Sequence, residues 1–307
     1  RRMGYSGSLS TGALAAGGTL GILIPPSVIL IIYSILTEQN IAKMFLAAFV
    51  PGILSAIGYL IAIAIFVRIK PDSGPPTSYV GWRQRLILFG QVWQILVIFF
   101  LVIGGIYLGW FTPTEGASIG AAGTGIMALF TKGFNFNDLV DVIKDTAVTS
   151  AMIFLVLLGA EFFNSFIALT QITNQLATFV ISNELSPYLV VFCILVLYVF
   201  LGCLMDSLAM ILLTIPVFFP IIIELDFGMS VEEVAIWFGI LTLIVVEVGL
   251  ITPPVGLNVF IINKMAKNVP ISDTFIGVLP FLISDLIRVG ILFIFPGISL
   301  FLIRLLG

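Results

Sequence analysis

The longest apolar runs in this sequence decide its fold class. Residues 53–67 and 86–104 contain no charged side chain. A helix needs about 20 mainly apolar residues to cross a bilayer, whereas membrane-spanning strands alternate apolar and polar residues. Only 9% of the 307 residues are charged, against about 25% in soluble domains, so too little polar side-chain surface is present for a water-soluble fold. The sequence predicts an all-α integral membrane protein.

The residue inventory excludes several functional classes. The absence of histidine excludes Ser-His-Asp hydrolases, histidine-ligated zinc and histidine proton relays. Cys193 and Cys203 form no CxxC pair, so we expect small core residues rather than a disulfide or a metal site. A net charge of −3 without a basic run gives nucleic-acid binding no support. The start at Arg1, without a signal peptide or an initiator methionine, leads us to expect a piece of a longer protein.

Apolar segments between short polar turns predict the order of the spans. They are residues 9–36, 44–67, 86–108, 116–130, 146–169, 186–225, 234–262 and 275–306. Residues 137–145 are amphipathic and predict an interfacial helix. The segment 186–225 is interrupted at residues 202–207. Its two apolar pieces of about 15 residues are roughly 23 Å long, shorter than a bilayer core of about 30 Å, so we predict a re-entrant hairpin.

The positions of the basic residues predict the orientation of the spans, because Lys and Arg favour the cytoplasmic side. With the first residues inside, ten of the 13 basic residues are cytoplasmic. These are Arg1, Arg2, Arg68, Lys70, Arg83, Arg85, Lys132, Lys144, Lys264 and Lys267. Lys43 and Arg304 lie outside, and Arg288 lies within a span. Two full crossings by residues 186–225 would give the same parity.

Two of the predicted spans share a Gly-x-x-x-Pro-Pro break, at residues 21–26 and 249–254. The predicted orientation makes them run in opposite directions, as in an inverted-topology repeat. Paired prolines free backbone carbonyls, which a bilayer tolerates only where the backbone is buried in protein or lines a polar cavity. Freed carbonyls can coordinate Na⁺, and the N-terminus of the following half-helix can face an anion. A proline kink satisfied by neighbouring helices is the alternative for each break.

Polar residues inside apolar segments mark further site candidates. They are Glu161, Asn164, Asp206, Ser207, Glu247, Asp285 and Arg288. Asp285 and Arg288 lie three apart on one helical face, and we expect them to pair. Glu115 follows Thr112, Pro113 and Thr114, and is expected to be a capping charge at the N-terminus of a helix. The glycines within residues 12–18 are consistent with either close helix packing or substrate access.

Four motifs, in residues 14–27, 111–115, 205–210 and 249–258, resemble the C-terminal portion of the large membrane subunit of TRAP (tripartite ATP-independent periplasmic) transporters. This resemblance implies sodium-driven import of an organic anion, such as sialic acid or a C4-dicarboxylate, across the bacterial inner membrane. It implies a periplasmic substrate-binding protein and a small, Q-type membrane subunit as partners, and no enzymatic activity. It also implies an inverted-repeat, elevator-type fold in which a domain of hairpins and broken helices moves against a scaffold.

The resemblance divides the chain into moving and scaffold parts. Residues 1–36 form the first broken helix of the transport domain, and residues 37–145 form scaffold spans, a cytoplasmic linker and the interfacial helix. Residues 146–265 form the second repeat, with the hairpin 186–225 and the broken helix 234–262, and residues 266–307 form a C-terminal scaffold helix.

The resemblance also implies two sodium sites and a substrate site. The first sodium site uses carbonyls of Gly18, Gly21, Ile24 and Pro25, and the second uses Asp206, Ser207, Gly249 and Thr252. The substrate lies near Pro26, Ser27, Asp206, Pro254 and Asn258. In the family, a hairpin in a further N-terminal half completes the first sodium site, so we expect these residues alone not to transport.

Three alternatives compete with this interpretation. A sodium–carboxylate symporter that works without a binding protein has the same paired breaks. An intramembrane aspartyl protease needs two facing carboxylates, but Asp206 has no partner in a GxGD context. A channel needs a continuous pore rather than paired broken helices. No arginine lies inside the four motifs, so an arginine clamp for a carboxylate substrate is not predicted.

Overall fold

The computed structural model describes residues 4–75, 81–90, 92–130, 134–266 and 268–306, and this part of the chain contains helices and no strand. The helices are α1 (Gly7–Leu23), α2 (Val28–Leu36), α3 (Ile41–Ile69), α4 (Trp82–Gly90), α5 (Trp93–Tyr107), α6 (Pro113–Leu129), α7 (Phe136–Thr170), α8 (Ile172–Ser182), α9 (Pro187–Gly202), α10 (Ser207–Ile223), α11 (Val231–Ile251), α12 (Leu257–Met265), α13 (Ile271–Ile294) and α14 (Gly297–Leu306). The all-α prediction is confirmed.

The helices fall into two compact units. One comprises Arg1–Pro75 and Ala160–Gly307, and the other comprises Pro76–Gly159. The second unit holds α4, α5, α6 and the first part of α7. All of the candidate sodium and substrate residues lie in the first unit, so the first unit alone carries the candidate site. The division into transport and scaffold domains stays a prediction.

Helix α11 forms the core of the first unit. Every residue from 234 to 251 is buried, as expected of a helix that is apolar on all sides. Trp237 is fully buried, and its Nε1 donates a hydrogen bond to the carbonyl oxygen of Leu292, at 2.9 Å. Glu247 is the single ionisable side chain in this buried stretch, which makes it the exception that needs a partner.

The helix lengths fit a protein that crosses a membrane several times. Among the described residues, α3, α7, α11 and α13 are each long and apolar enough to span a bilayer. The pairs α1–α2 and α4–α5 pass the same criterion as bent spans, and α2 is bent by 42° from α1. The predicted interfacial segment 137–145 continues without interruption into the following span, as part of the 35-residue helix α7.

The predicted hairpin consists of two short apolar helices. Helices α9 and α10 have 16 and 17 residues, or about 24 to 26 Å at 1.5 Å per residue. Both are shorter than a bilayer core of about 30 Å, and the turn between them falls within the predicted break. The two short helices are confirmed, and their re-entrant course through a membrane stays a prediction.

Three details of the structure differ from the helix prediction. The predicted span 86–108 corresponds to α4 and α5, which pass the spanning criterion only as a bent pair. The predicted span 275–306 is divided between α13 and α14, because Pro296 cannot donate a helical hydrogen bond. Helix α8 was not predicted; it begins after Gln171, whose φ of 58° ends α7.

Two ion pairs at one end of the first unit contain the basic residues that were predicted to lie outside the cytoplasm. Lys43 lies 2.6 Å from Glu232, and Arg304 lies 2.7 Å from Glu233. Both acidic residues belong to the first turn of α11. The predicted alternation of spans puts Lys43, Arg304 and this turn on the same side, so the helix directions agree with it. The side of the membrane stays a prediction.

Candidate functional site at the helix breaks

The first break separates α1 from α2 at residues 24–27. The N–H of Ile24 still donates to the carbonyl oxygen of Leu20, at 3.0 Å. Pro25 and Pro26 have no N–H, so the carbonyls of Gly21 and Ile22, four residues earlier, lose their helical donors. The chain restarts as a helix at Ser27, which is buried and whose Oγ accepts from the N–H of Leu30, at 3.4 Å. The Pro25–Pro26 peptide bond is cis.

One face of α1 before this break is open. A Cβ added at Gly17 or Gly21 would meet nothing within 4 Å, whereas one added at Gly18 would lie 3.8 Å from Nδ2 of Asn258. Gly12, by contrast, packs directly against the backbone of Gly277 in α13. The glycine run therefore packs closely at its start, whereas its end faces free space, and substrate access there stays a prediction. It also brings a candidate sodium residue beside a candidate substrate residue.

The second break separates α11 from α12 at residues 252–256. Thr252 ends α11: its N–H donates to the carbonyl oxygen of Gly249, at 3.1 Å, and its Oγ1 donates to that of Val248, at 2.5 Å. Pro254 has no N–H for the carbonyl of Leu250, which is therefore the freed carbonyl of this break. The Pro253–Pro254 bond is cis, as at the first break.

The chain re-enters a helix through Gly256. Its φ of 59° lies in the left-handed region, which favours glycine. Pro254 is exposed and Asn258 is half-buried. No side chain caps α12, so the N–H groups of its first turn point toward the break and can attract an anion.

The hairpin break is organised by Asp206. Its Oδ1 accepts hydrogen bonds from the N–H groups of Leu208, at 2.9 Å, and Ala209, at 3.0 Å. Asp206 thereby caps the N-terminus of α10, and Ser207 is the first residue of that helix. The two cap bonds use Oδ1 alone, so Oδ2 remains geometrically available to a ligand. Asp206 is exposed, and its role in a sodium or substrate site stays a prediction.

The hairpin meets the second break by direct backbone contact. A Cβ added at Gly249 would lie 2.5 Å from Cα and 2.7 Å from the carbonyl carbon of Gly202. Sγ of Cys203 lies 3.6 Å from the carbonyl oxygen of Pro253. The structure therefore brings the hairpin end beside the segment that holds Gly249 and Thr252. The sequence analysis named Gly249 for its carbonyl and missed this steric role.

The described contacts join these candidates only in part. Gly18 meets Asn258, and the hairpin meets the second break. No described contact joins Asp206 to Pro26 or Ser27, so one pocket that holds all of the candidate substrate residues stays a prediction. Among the described residues, no group of three or more His, Cys, Asp and Glu side chains lies close enough together to hold a metal ion. A cation at the breaks would therefore need backbone or hydroxyl oxygens in addition to the single carboxylate of Asp206.

Other polar candidates have separate roles. Arg288 donates from Nη2 to Oδ1 of Asp285, at 2.9 Å, which confirms the predicted pair. Glu115 lies in the first turn of α6, as predicted, and forms a capping box with Thr112. The N–H of Thr112, donating to this carboxylate, holds the pKa of Glu115 below its usual value. Glu161 is exposed and Oδ1 of Asn164 is buried without a described partner.

Both cysteines are free, as predicted. Cys203 is buried against the second break, which fits the expected small core residue. Cys193 is exposed, so its prediction as a core residue was wrong. Its surface position on α9 follows from an apolar helix that turns one side outward, which an apolar sequence alone does not reveal.

Several helices long and apolar enough to span a membrane, together with two helices broken at paired prolines, are typical of multi-pass helical transport proteins. Residues 1–298 match the family described as the DctM component of tripartite ATP-independent periplasmic transporters. The chain belongs to this family, which confirms the resemblance found in its motifs.

Individual relatives agree with this family. The chain is 32% identical over 307 residues to the C4-dicarboxylate TRAP transporter large permease protein DctM of Pseudomonas aeruginosa, a match that covers all of this chain and 70% of the relative. It is 33% identical over 312 residues to the sialic acid TRAP transporter permease protein SiaT of Haemophilus influenzae, covering all of this chain and 48% of the relative. It is 28% identical over 302 residues to the isethionate TRAP transporter permease protein DctMQ of Oleidesulfovibrio alaskensis, covering 97% of this chain and 46% of the relative.

These relatives are transporter permeases, which is consistent with a protein that is not an enzyme. The chain spans about half the length of two of them and 70% of the third.

Proposed function

We propose that this chain is the part of a sodium-coupled organic-anion importer that holds sodium and substrate at its helix breaks. The observation that carries the proposal is the backbone contact between Gly202 and Gly249, with Cys203 against Pro253. It brings the end of α9, four residues before the cap carboxylate of Asp206, against the end of α11 and the segment that leads to α12. Separate proline kinks would not require a hairpin to pack against one of them.

Sodium is proposed because the available ligands are neutral or singly charged oxygens. At the first break, Gly21 and Ile22 carry carbonyls without helical donors, and at the second break Leu250 does. Asp206 retains one carboxylate oxygen beyond its cap bonds. Sites in secondary transporters use unwound carbonyls of this kind for Na⁺. The first site uses Gly18, Gly21, Ile24 and Pro25, and the second uses Asp206, Ser207, Gly249 and Thr252.

The substrate is proposed to be an organic anion. Helices α2 and α12 begin at the two breaks, and the N–H groups of their first turns favour negative charge. The substrate residues are Pro26, Ser27, Asp206, Pro254 and Asn258. The relatives named above carry C4-dicarboxylate, sialic acid or isethionate in their names, and each of these substrates is an anion. The exact anion for this chain is left open.

The partners and location are proposed from the family. A tripartite periplasmic transporter implies two further components, which we take to be a small Q-type membrane subunit and a periplasmic substrate-binding protein. The chain would then lie in the bacterial inner membrane and work by elevator-type movement of inverted repeats. Polar backbone at both breaks and in the hairpin supports such a moving site.

Uptake by liposomes that contain the complete transporter tests this function. Labelled carboxylate would be supplied with a sodium or an equal potassium gradient, each with and without the binding protein. We expect uptake only with both sodium and the binding protein. Equal uptake in both gradients would overturn sodium coupling, and uptake without the binding protein would favour the independent symporter.

A further inference from the structure

A chain of contacts between buried polar side chains joins the two broken helices α1 and α11 within the first unit. Oγ1 of Thr19 lies 3.3 Å from the hydroxyl of Tyr59, and that hydroxyl donates to Oδ2 of Asp285, at 2.7 Å. Nη2 of Arg288 donates to Oδ1 of Asp285, at 2.9 Å, and lies 3.7 Å from Oε2 of Glu247. These five residues, called the relay below, belong to α1, α3, α13 and α11.

The two ends of the relay occupy matching positions of the two breaks. Thr19 lies two residues before Gly21, and Glu247 lies two residues before Gly249. Both glycines open a Gly-x-x-x-Pro-Pro motif. The relay therefore touches each broken helix in the turn that precedes its break, and it connects the two helices through Tyr59 and the α13 ion pair.

The relay is buried within the first unit. Its five members are between 0 and 5% exposed. Buried charges and hydroxyl groups are costly unless they are paired, so movement of one member changes the energy of the next. An isolated pair such as Asp285 and Arg288 would stabilise α13 alone. Here the hydroxyls of Thr19 and Tyr59 extend that pair to α1, which carries the first break.

The two carboxylates of the relay differ in their hydrogen bonding. Both oxygens of Asp285 are hydrogen-bonded. Within the described residues, both oxygens of Glu247 and the Nε and Nη1 atoms of Arg288 lack a hydrogen-bond partner. A shift of about 1 Å between α11 and α13 would bring Arg288 into hydrogen-bond range of Glu247. The guanidinium can therefore hold Asp285 alone or both carboxylates, which are two discrete arrangements.

We propose that the relay couples the two breaks, so that an ion bound at one break changes the sodium affinity of the other. The proposal rests on the proposed function, because it takes both breaks as sodium sites. It also requires α3 and α13, which the predicted division assigns to the scaffold, to move together with α1 and α11. Tyr59, Asp285 and Arg288 are then positioning residues that act through Thr19 and Glu247 on the backbone of α1 and α11. A coupling of ordinary allosteric size changes affinity by about fivefold or more.

The test is the sodium dependence of uptake by the complete transporter with Tyr59→Phe. This variant removes the hydroxyl and retains the ring, which packs edge-on against Phe281 at 5.1 Å. We expect the sodium half-saturation to rise by about fivefold and the Hill coefficient for sodium to fall toward one. The maximal rate at saturating sodium and the half-saturation for substrate should stay near those of the unmodified transporter.

Matched variants distinguish a loss of coupling between the breaks from a loss of stability. Tyr33→Phe removes another buried hydroxyl, which donates to the carbonyl oxygen of Ala235, and should leave sodium cooperativity unchanged. Thr19→Ser should retain cooperativity and Thr19→Val should lose it. The double variant Thr19→Val, Tyr59→Phe should be no worse than either single variant, because both interrupt the same chain.

Unchanged sodium cooperativity in Tyr59→Phe, or an equal loss in Tyr33→Phe, would overturn the relay while leaving sodium-coupled uptake intact. Sodium-independent uptake by the unmodified transporter would overturn the proposed function and the relay together. If Tyr59→Phe fails to assemble, the comparison of Thr19→Ser with Thr19→Val decides the question, and equal cooperativity in these two variants would overturn the relay.

Discussion

The contact between Gly202 and Gly249 makes Gly249→Ala a sharp test of the packing at the second break. The added Cβ would lie 2.5 Å from Cα and 2.7 Å from the carbonyl carbon of Gly202. Both atoms are backbone, so no side-chain rotation can relieve the overlap. Carbon atoms pack at about 3.5–4.0 Å. The hairpin and α11 would therefore have to separate by about 1 Å.

The cost of this separation follows from two opposing effects. Overpacking a tight interior typically costs about 1–3 kcal/mol. Replacing a helical glycine with alanine returns about 0.5–1 kcal/mol, because alanine loses less backbone entropy on folding. Since the overlap is with backbone, we expect the upper part of the overpacking range and a net loss of about 2 kcal/mol. At about 2–4 °C per kcal/mol, the unfolding midpoint should fall by roughly 4–8 °C.

Thermal unfolding of the purified transporter, followed by tryptophan fluorescence, measures this loss. Gly290→Ala in α13 is the matched control, because a Cβ there would meet nothing within 4 Å. It should leave the midpoint unchanged or raise it slightly. An unchanged midpoint in Gly249→Ala, or an equal fall in Gly290→Ala, would refute the close approach of the hairpin to the second break.

Three further predictions concern charged residues. Asp206→Ala should lose about 1 kcal/mol of stability, because it removes the cap of α10. Asp206→Asn should retain most of the cap and still weaken sodium-dependent uptake. Equal sodium half-saturation in Asp206→Asn and the unmodified protein would exclude the carboxylate as a ligand. Asp285→Asn should lower the free energy of unfolding by about 3–5 kcal/mol, because it leaves Arg288 buried without a bonded carboxylate. At about 2–4 °C per kcal/mol, a thermal unfolding midpoint within 2 °C of the unmodified protein would contradict this. Hydrogen bonds from Thr112 lower the pKa of Glu115. The carboxylate therefore stabilises α6 above the ordinary carboxyl pKa, and this stabilisation is lost as the pH falls through the lowered pKa. The difference in stability between the unmodified protein and Glu115→Ala should vanish in acid, and a constant difference across pH would refute the capping role.

The features that follow from local chemistry could be predicted from the sequence. Paired prolines break a helix wherever they occur, so both breaks were found at residues 24–27 and 252–256. The spacing of Asp285 and Arg288 fixed their pairing, because residues three apart share a helical face. The segment Thr112 to Thr114 likewise indicated that Glu115 begins a helix, although the capping box itself became visible only in the structure. The single Pro296 gave no such clear signal for the end of α13, because Pro280 lies inside the same helix without ending it.

Features that depend on the approach of distant segments could not be predicted. Thr19 and Tyr59 are ordinary polar residues in apolar helices until α1, α3 and α13 pack together. The sequence around Gly202 does not indicate that a small residue is needed there, because its size matters only where Gly249 packs against it. The same limit applies to the substrate site, since the positions of Pro26 and Asp206 relative to one another depend on how far the hairpin lies from α2.

The central claim is that oxygens at the breaks bind the coupling sodium, and Thr252→Val tests it most directly. This near-isosteric change removes one candidate hydroxyl ligand at the end of α11. Thr242→Val is its control, because the buried Oγ1 of Thr242 has no hydrogen-bond partner among the described residues. The measurement is the sodium half-saturation of uptake by the complete transporter. We predict a severalfold rise in Thr252→Val and none in Thr242→Val; an unchanged value in both variants would contradict the claim.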